Sequence, residues 1–262
     1  MAVEIHADFE TRSVVDLSVT GLEVYSKHQT TDAWCMSWSV GDGPVNLWKM
    51  GDPFPEELEF HFKKNNYLLV GHNVTFELAI WNEIMLPRYG WPPVDYRRTD
   101  CTMALGYAMS LPGKLEKLAP ALGIDQKKDM SGNRVMLQLA QPRSIGKDGS
   151  IKWWTEEENP EKFEKLYAYC IQDTVVEKEV YKRLLKLSEK EKKVWQIDYK
   201  INRRGVQIDI PAAKKAIKLV EYETLRLNTE MRRVTENQVA TCNAVSQLQQ
   251  FLKYRGDEIE SI

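Results

Sequence analysis

The sequence predicts an α/β protein, a mixed β-sheet flanked by helices and followed by a helical extension. Three observations predict it. Val3, Ile5, Ala7 and Phe9 alternate with Glu4, His6, Asp8 and Glu10 at the two-residue period of a strand. Between Pro160 and Leu187, apolar positions at Phe163, Leu166, Cys170, Tyr181 and Leu184 recur at helical spacing. Beyond Ser188 the chain turns to charged, helix-like sequence, so the domain boundary is expected there, with residues 1–187 as one domain and 188–262 as the extension.

The elements follow in order. The run from Val3 to Glu10 is a strand, and Ala33 to Val40 is a second. Gly41-Asp42-Gly43 then turns into a short run from Val45 to Trp48, which predicts a hairpin and makes the sheet partly antiparallel. After Pro53 and Pro55, Glu56 to Lys64 has helical spacing, and Tyr67 to Val70 is a short apolar strand. Asn73, just past Gly71-His72, is placed to cap the helix that follows. The stretches Cys101 to Met109 and Leu115 to Leu122 are expected to be helical. Gln141 to Asn159 is polar, carries an Asp148-Gly149 turn signal, and is expected to form a surface excursion. A long helix should run from Pro160 to Leu187; helical sequence then breaks at Arg203-Arg204-Gly205 and resumes after Asp209-Ile210-Pro211 to about Glu236.

The bulk numbers set bounds. With 262 residues, 43% of them hydrophobic, the chain can bury a substantial core. No apolar run approaches the roughly 20 residues needed to span a bilayer, and no signal-peptide pattern opens the sequence, so a cytoplasmic location is expected. The four cysteines, Cys35, Cys101, Cys170 and Cys242, lack the close pairing of a zinc site or a disulfide scaffold and are expected to be ordinary core thiols. A net charge of −2 argues against a protein that coats nucleic acid, yet allows an enzyme touching a few nucleotides.

Several carboxylates have spacings suited to a metal. Asp8 and Glu10, two apart on a strand, leave the same face roughly 7 Å apart and can converge on one hard cation; an exposed acidic edge would show the same pattern. Glu77 follows Asn73 by four residues, near the C-terminal end of a strand where ligands gather in open sheets, although an acid there also complements a helix dipole. Asp173 lies one helical turn after Tyr169, so phenol and carboxylate share a face. In the excursion, Lys127, Lys128, Arg134, Lys147, Lys152, Trp153 and Trp154 offer a basic and aromatic path for a single strand, or else tryptophans that pin a solvated loop to the core.

In combination, Asp-x-Glu on a first strand, Asn-x-x-x-acid at a strand-to-helix junction and Tyr-x-x-x-Asp on a late helix resemble the three exonuclease motifs of the DEDD superfamily, tyrosine branch. The stretches GHNVTFELAIW, RRTDCTMALGYAMSLPGKLEKLAPALGI and YAYCIQDTVVEKEVY look like phage members of the DNA polymerase I family (family A), and INRRGVQIDIPAAKKA resembles that family's transition into its polymerase domain. The resemblance implies a ribonuclease H-like fold and a proofreading 3′→5′ exonuclease acting on the 3′ end of single-stranded DNA. It further implies two divalent cations, Mg2+ or Mn2+, held by Asp8, Glu10, Glu77 and Asp173. Asp8 would bridge the ions, Tyr169 would orient the attacking water, and His72, Asn73 and Phe76 would contact the terminal nucleotide. Most of the family has Asp where this chain has Glu77, and the extra methylene bears on how the second ion is held.

The resemblance implies, too, that residues 188–262 begin the thumb of a polymerase whose remainder acts in cis or in trans. The palm motifs needed for nucleotide incorporation are not among these residues. A ribonuclease D-like enzyme trimming RNA shares the same motifs, and a non-catalytic scaffold for DNA ends or a partner is an alternative of another class.

Overall fold

β1 (Val3–Arg12) is the centre of the architecture, and its surroundings explain why both of its faces carry buried residues. In the computed structural model, which describes residues 2–125 and 130–256, β1 is followed by α1 (Leu17–Lys27), β2 (Asp32–Val40), β3 (Asn46–Lys49), α2 (Glu56–Lys63) and β4 (Tyr67–Gly71). Next come α3 (Thr75–Ile80), which runs on through a π-helical turn at Trp81–Met85 into α4 (Leu86–Tyr89), and β5 (Thr99–Cys101). The five strands form one sheet in the order β3-β2-β1-β4-β5. β1 pairs antiparallel with β2 and β2 with β3, whereas β1–β4 and β4–β5 are parallel.

Helices α5 (Thr102–Ala108), α6 (Leu115–Ala121) and α7 (Met130–Leu139) lead to the two-stranded ribbon β6 (Ser144–Ile145) and β7 (Ile151–Lys152), and then to the long helix α8 (Pro160–Arg183). One face of β1, with Ile5, Ala7 and Phe9, joins the main core with Met36, Trp48, Leu69, Leu78, Trp81 and Trp91. On the polar face, His6 and Glu10 are buried and Asp8 is half-buried, with α8 packed over the strand. There α8 is fixed to β1 and β2 by a buried polar layer. His6 Nδ1 lies 2.6 Å from Glu177 Oε2, Ser37 Oγ donates 2.8 Å to the Cys170 carbonyl, and Lys178 Nζ donates to Ser39 Oγ and the Gly43 carbonyl.

The described chain divides into two units, Met1–Arg204 and Gly205–Ile262. The change of sequence character at Ser188 therefore marks a helix start, a Ser188/Glu191 capping box, and the compact unit extends through α9 (Glu189–Arg204). The reason is tertiary. Lys192 donates to Asp100, Trp195 and Tyr199 pack on the main core, and Arg203 pairs with Glu23 and Glu83. The second unit holds α10 (Ile210–Val234), capped by Asp209 accepting from Ala212 N–H at 2.9 Å, and α11 (Val245–Tyr254).

The structure moves four other expectations. The long helix ends at Arg183, since Leu184 turns extended and buries its side chain with Val180 and Tyr181. The segment expected to be helical from Cys101 begins as β5, a three-residue edge strand beside β4. Asn73 is not the cap of α3: its backbone is left-handed at φ 65°, Val74 is the capping residue, and Asn73 Oδ1 accepts from Thr75 Oγ1 at 2.8 Å. Cys242 is exposed, unlike the buried Cys35, Cys101 and Cys170.

Candidate metal and exonuclease site

The acidic residues of β1 are aimed by a local irregularity. Pairing of β1 with β2 shifts between Glu10, opposite Cys35, and Thr11, opposite Ala33, so Trp34 is an extra residue and the strands bulge beside Glu10. Bulges of this kind bend a strand and redirect a side chain. Trp34 is itself held, its indole N–H donating 3.0 Å to the Leu139 carbonyl.

The eight residues singled out from sequence, Asp8, Glu10, His72, Asn73, Phe76, Glu77, Tyr169 and Asp173, all line one cleft of about 690 Å³. Four elements deliver them: β1, the end of β4, α3 and α8. Sequence reasoning did not flag Tyr25, Met136 or Gln141, which line the same cleft. Among the described residues, Asp8, Glu10 and Cys170 each present a ligand atom, all within 4.8 Å of one another. The Cys170 thiol, 3.8 Å from Asp8 Oδ2, is buried, and that burial first of all pushes its pKa well up, so it packs as a neutral thiol behind the carboxylates.

Glu77 is 2% exposed, and its Oε2 is a buried atom with no hydrogen-bond partner. Burial, then the charge of Asp8, raises its pKa well above the usual glutamate value. Gly71 leaves it room: a Cβ there would stand 3.3 Å from both Glu77 Oε2 and the Ala7 carbonyl. An oxygen-rich donor set with one uncompensated buried carboxylate oxygen fits a hard divalent cation.

Tyr169 is 3% exposed and hydrogen-bonded to Asp173. Its phenol pKa is driven upward by burial and then by the charges of Asp173, Glu10 and Asp8, so it stays protonated and acts as a hydrogen-bonding group. His72 is held at both ring nitrogens, Nε2 2.9 Å from the Gly113 carbonyl and Nδ1 3.0 Å from Thr102 Oγ1. Nε2 donates to the carbonyl, and Thr102 Oγ1, which also donates to the Gly71 carbonyl, holds the other ring nitrogen. Phe76 packs against Tyr25 at 6.3 Å and walls the cleft.

The polar excursion resolves in favour of packing. Arg12 lies 4.7 Å over the Trp153 ring, Lys162 lies 3.7 Å over Trp154, and both tryptophans pack on the Trp34, Leu139 and Phe163 cluster. Arg134, Lys147 and Lys152 are exposed, while Lys127 and Lys128 lie outside the described residues.

The mixed sheet with this strand order carries paired acids on its central strand and has a Tyr-Asp helix laid across it, an α/β fold of the ribonuclease H-like kind. The chain is related to DNA polymerase of Bacillus phage SP02, with 30% identity over 264 residues. That match takes in 97% of this chain, which spans 39% of the relative's length. Among solved structures, the POL domain of Pol1 from M. smegmatis in complex with DNA primer-template and dNTP matches with a TM-score of 0.52 and 10% identity, over all of this chain and 38% of that one. NrnC of Brucella melitensis bound to pGG matches with a TM-score of 0.44 and 14% identity, over 76% of this chain and 80% of that one. No family model matches the chain. Among the described residues, no helix is long and apolar enough to cross a membrane.

Proposed function

We propose that the cleft removes nucleotides from the 3′ end of single-stranded DNA, as the proofreading exonuclease of a family A DNA polymerase. The carrying observation is that Asp8, Glu10, Glu77, Tyr169 and Asp173, far apart in the chain, line one cleft in which a buried Glu77 oxygen has no partner. Asp8, Glu10, Glu77 and Asp173 would hold two divalent cations, Mg2+ or Mn2+. When bound, such ions acidify water and offset the negative charge that builds on the departing oxygen.

The chain's own groups do the rest. Tyr169, tied to Asp173 and kept protonated, orients the attacking water without taking its proton. Phe76 and Tyr25 form an apolar wall against which the terminal base rests, and His72, held at both ring nitrogens, braces the loop that carries Asn73. In-line attack of the water oxygen forms a new P–O bond as the terminal P–O3′ bond breaks; the water gives up a proton to solvent, the departing 3′ oxygen takes one up, and a nucleoside 5′-monophosphate and a strand one nucleotide shorter result.

In this reading residues 188–262 begin the polymerase domain. The test is a 5′-labelled DNA strand and its RNA counterpart incubated with Mg2+ or Mn2+. Stepwise shortening of DNA from the 3′ end, lost in Asp8→Ala, supports the reading. Preference for RNA favours the ribonuclease D-like alternative, and no shortening of either strand favours a scaffold.

A further inference from the structure

A second cavity, of about 520 Å³, lies beside the acidic cleft and shares Asn73 with it. It is contained in the first unit, between α1, α5 and α9, and Met103, Tyr107, Trp195, Tyr199 and Asn202 are among its lining residues. Gly21 lines its α1 side, and its φ of 76° and ψ of 165° interrupt the helix.

Its aromatic wall is ordered. Trp195 and Tyr199 stack at 5.9 Å with an interplanar angle of 19°, and Tyr199 stacks on Tyr96 at 5.0 Å and 16°. Lys200 lies 5.6 Å from the Tyr96 ring, while Trp195 and Tyr199 both line the cavity. A flat π-system entering the cavity meets two rings of an existing stack. Asn202 and Asp198, joined by a 3.0 Å hydrogen bond, give the cavity an amide and carboxylate edge that suits base heteroatoms.

The charges select which part of a nucleotide enters. Glu23 and Asp198 line the cavity, and the guanidinium of Arg203 is already paired with Glu23 and Glu83. Phosphate is therefore disfavoured inside and a neutral ring is favoured. Asn73, in its left-handed conformation, stands where the two cavities meet, so a strand with its terminus in the acidic cleft has its next bases within reach of the stack.

We propose that this cavity is a second base subsite, taking an unpaired purine or pyrimidine of the strand whose 3′ terminus occupies the acidic cleft. The proposal rests on the exonuclease reading. Stacking on aromatic rings tolerates any base, so the subsite adds affinity for strand length and no sequence preference.

The experiment measures binding in the Asp8→Ala background, where the strand is not consumed. Competition of dTMP and of the tetranucleotide dT4 against fluorescein-labelled dT4, followed by anisotropy, should show dT4 binding about tenfold tighter than dTMP. Trp195→Ala should reduce that ratio to within about twofold. Because Trp195 also packs on the core, Ala104→Trp, which fills the cavity while leaving the stack intact, is measured beside it and should have the same effect. A ratio unchanged in Ala104→Trp, or no advantage of dT4 over dTMP at the outset, overturns the subsite. Failure of the unmutated chain to shorten DNA overturns the exonuclease reading instead, and the two outcomes are separately readable.

Discussion

Replacing Glu77 with methionine, which keeps the side-chain length and removes the carboxylate, should stabilise the metal-free protein. Glu77 is 2% exposed, its Oε2 lacks a hydrogen-bond partner, and Asp8 repels it. An unsatisfied buried polar group costs about 1–3 kcal/mol. For a unit of this size each kcal/mol moves the melting temperature by about 2–4 °C, so Glu77→Met should melt about 2–12 °C higher in EDTA. The sign with pH is fixed by linkage. The folded-state pKa lies above the ordinary value of 4.5, so the native state holds its proton more tightly than the unfolded chain does. Stability from this group is complete below pH 4.5 and falls as pH rises from there through the raised folded-state value, so the advantage of the variant should grow over that window. Cations reverse the order. Mg2+ at about a hundred times its dissociation constant adds about 2.7 kcal/mol to a protein that binds it, and the variant should lose most of that gain. Differential scanning fluorimetry at pH 5 and pH 8, with EDTA and with Mg2+, reads all of these. A variant that melts below wild type in EDTA at pH 8, or keeps the full Mg2+ shift, refutes the reasoning.

Other outcomes follow from the same site. Asp8→Ala should lower the rate of 3′ trimming about a thousandfold with circular dichroism unchanged, and wild-type activity in it would mean the acidic cleft is misassigned. Tyr169→Phe, which removes only the hydroxyl proposed to orient the water, should slow trimming by about ten- to a hundredfold in kcat, read under saturating Mg2+. Gly71→Ala should press on Glu77 and weaken the Mg2+ dependence of activity by about tenfold while retaining the fold, checked by metal titration. His6→Ala leaves the buried Glu177 carboxylate without its partner and should cost about 3 kcal/mol in urea denaturation, since breaking one side of a buried pair is more costly than the pair is worth.

Much of the site was legible because its parts are local. Alternation along β1 put His6, Asp8 and Glu10 on one face, and the four-residue step put Tyr169 over Asp173, as any strand and any helix would. Elements that lack a local signature were not legible. Helix α1 is split at Gly21, and β5 is three residues held in the sheet only by pairing with β4, so neither shows a period long enough to read.

From sequence alone, then, came the class of fold, the order of the main elements and the identity of the residues that line the cleft. Tertiary structure alone decided what each of them experiences. His6 and Glu10 on the polar face of β1 are buried, Glu77 is buried with an unpaired oxygen, and both nitrogens of His72 are occupied by Thr102 and Gly113. It also decided that α9 joins the first unit, through Lys192 on Asp100 and Arg203 between Glu23 and Glu83. The physical reason is range. Periodicity acts over a few residues, whereas desolvation and hydrogen-bond partnership depend on groups 30 to more than 100 positions away, such as Gly71 and Thr102 or His6 and Glu177, which meet only when the chain has folded.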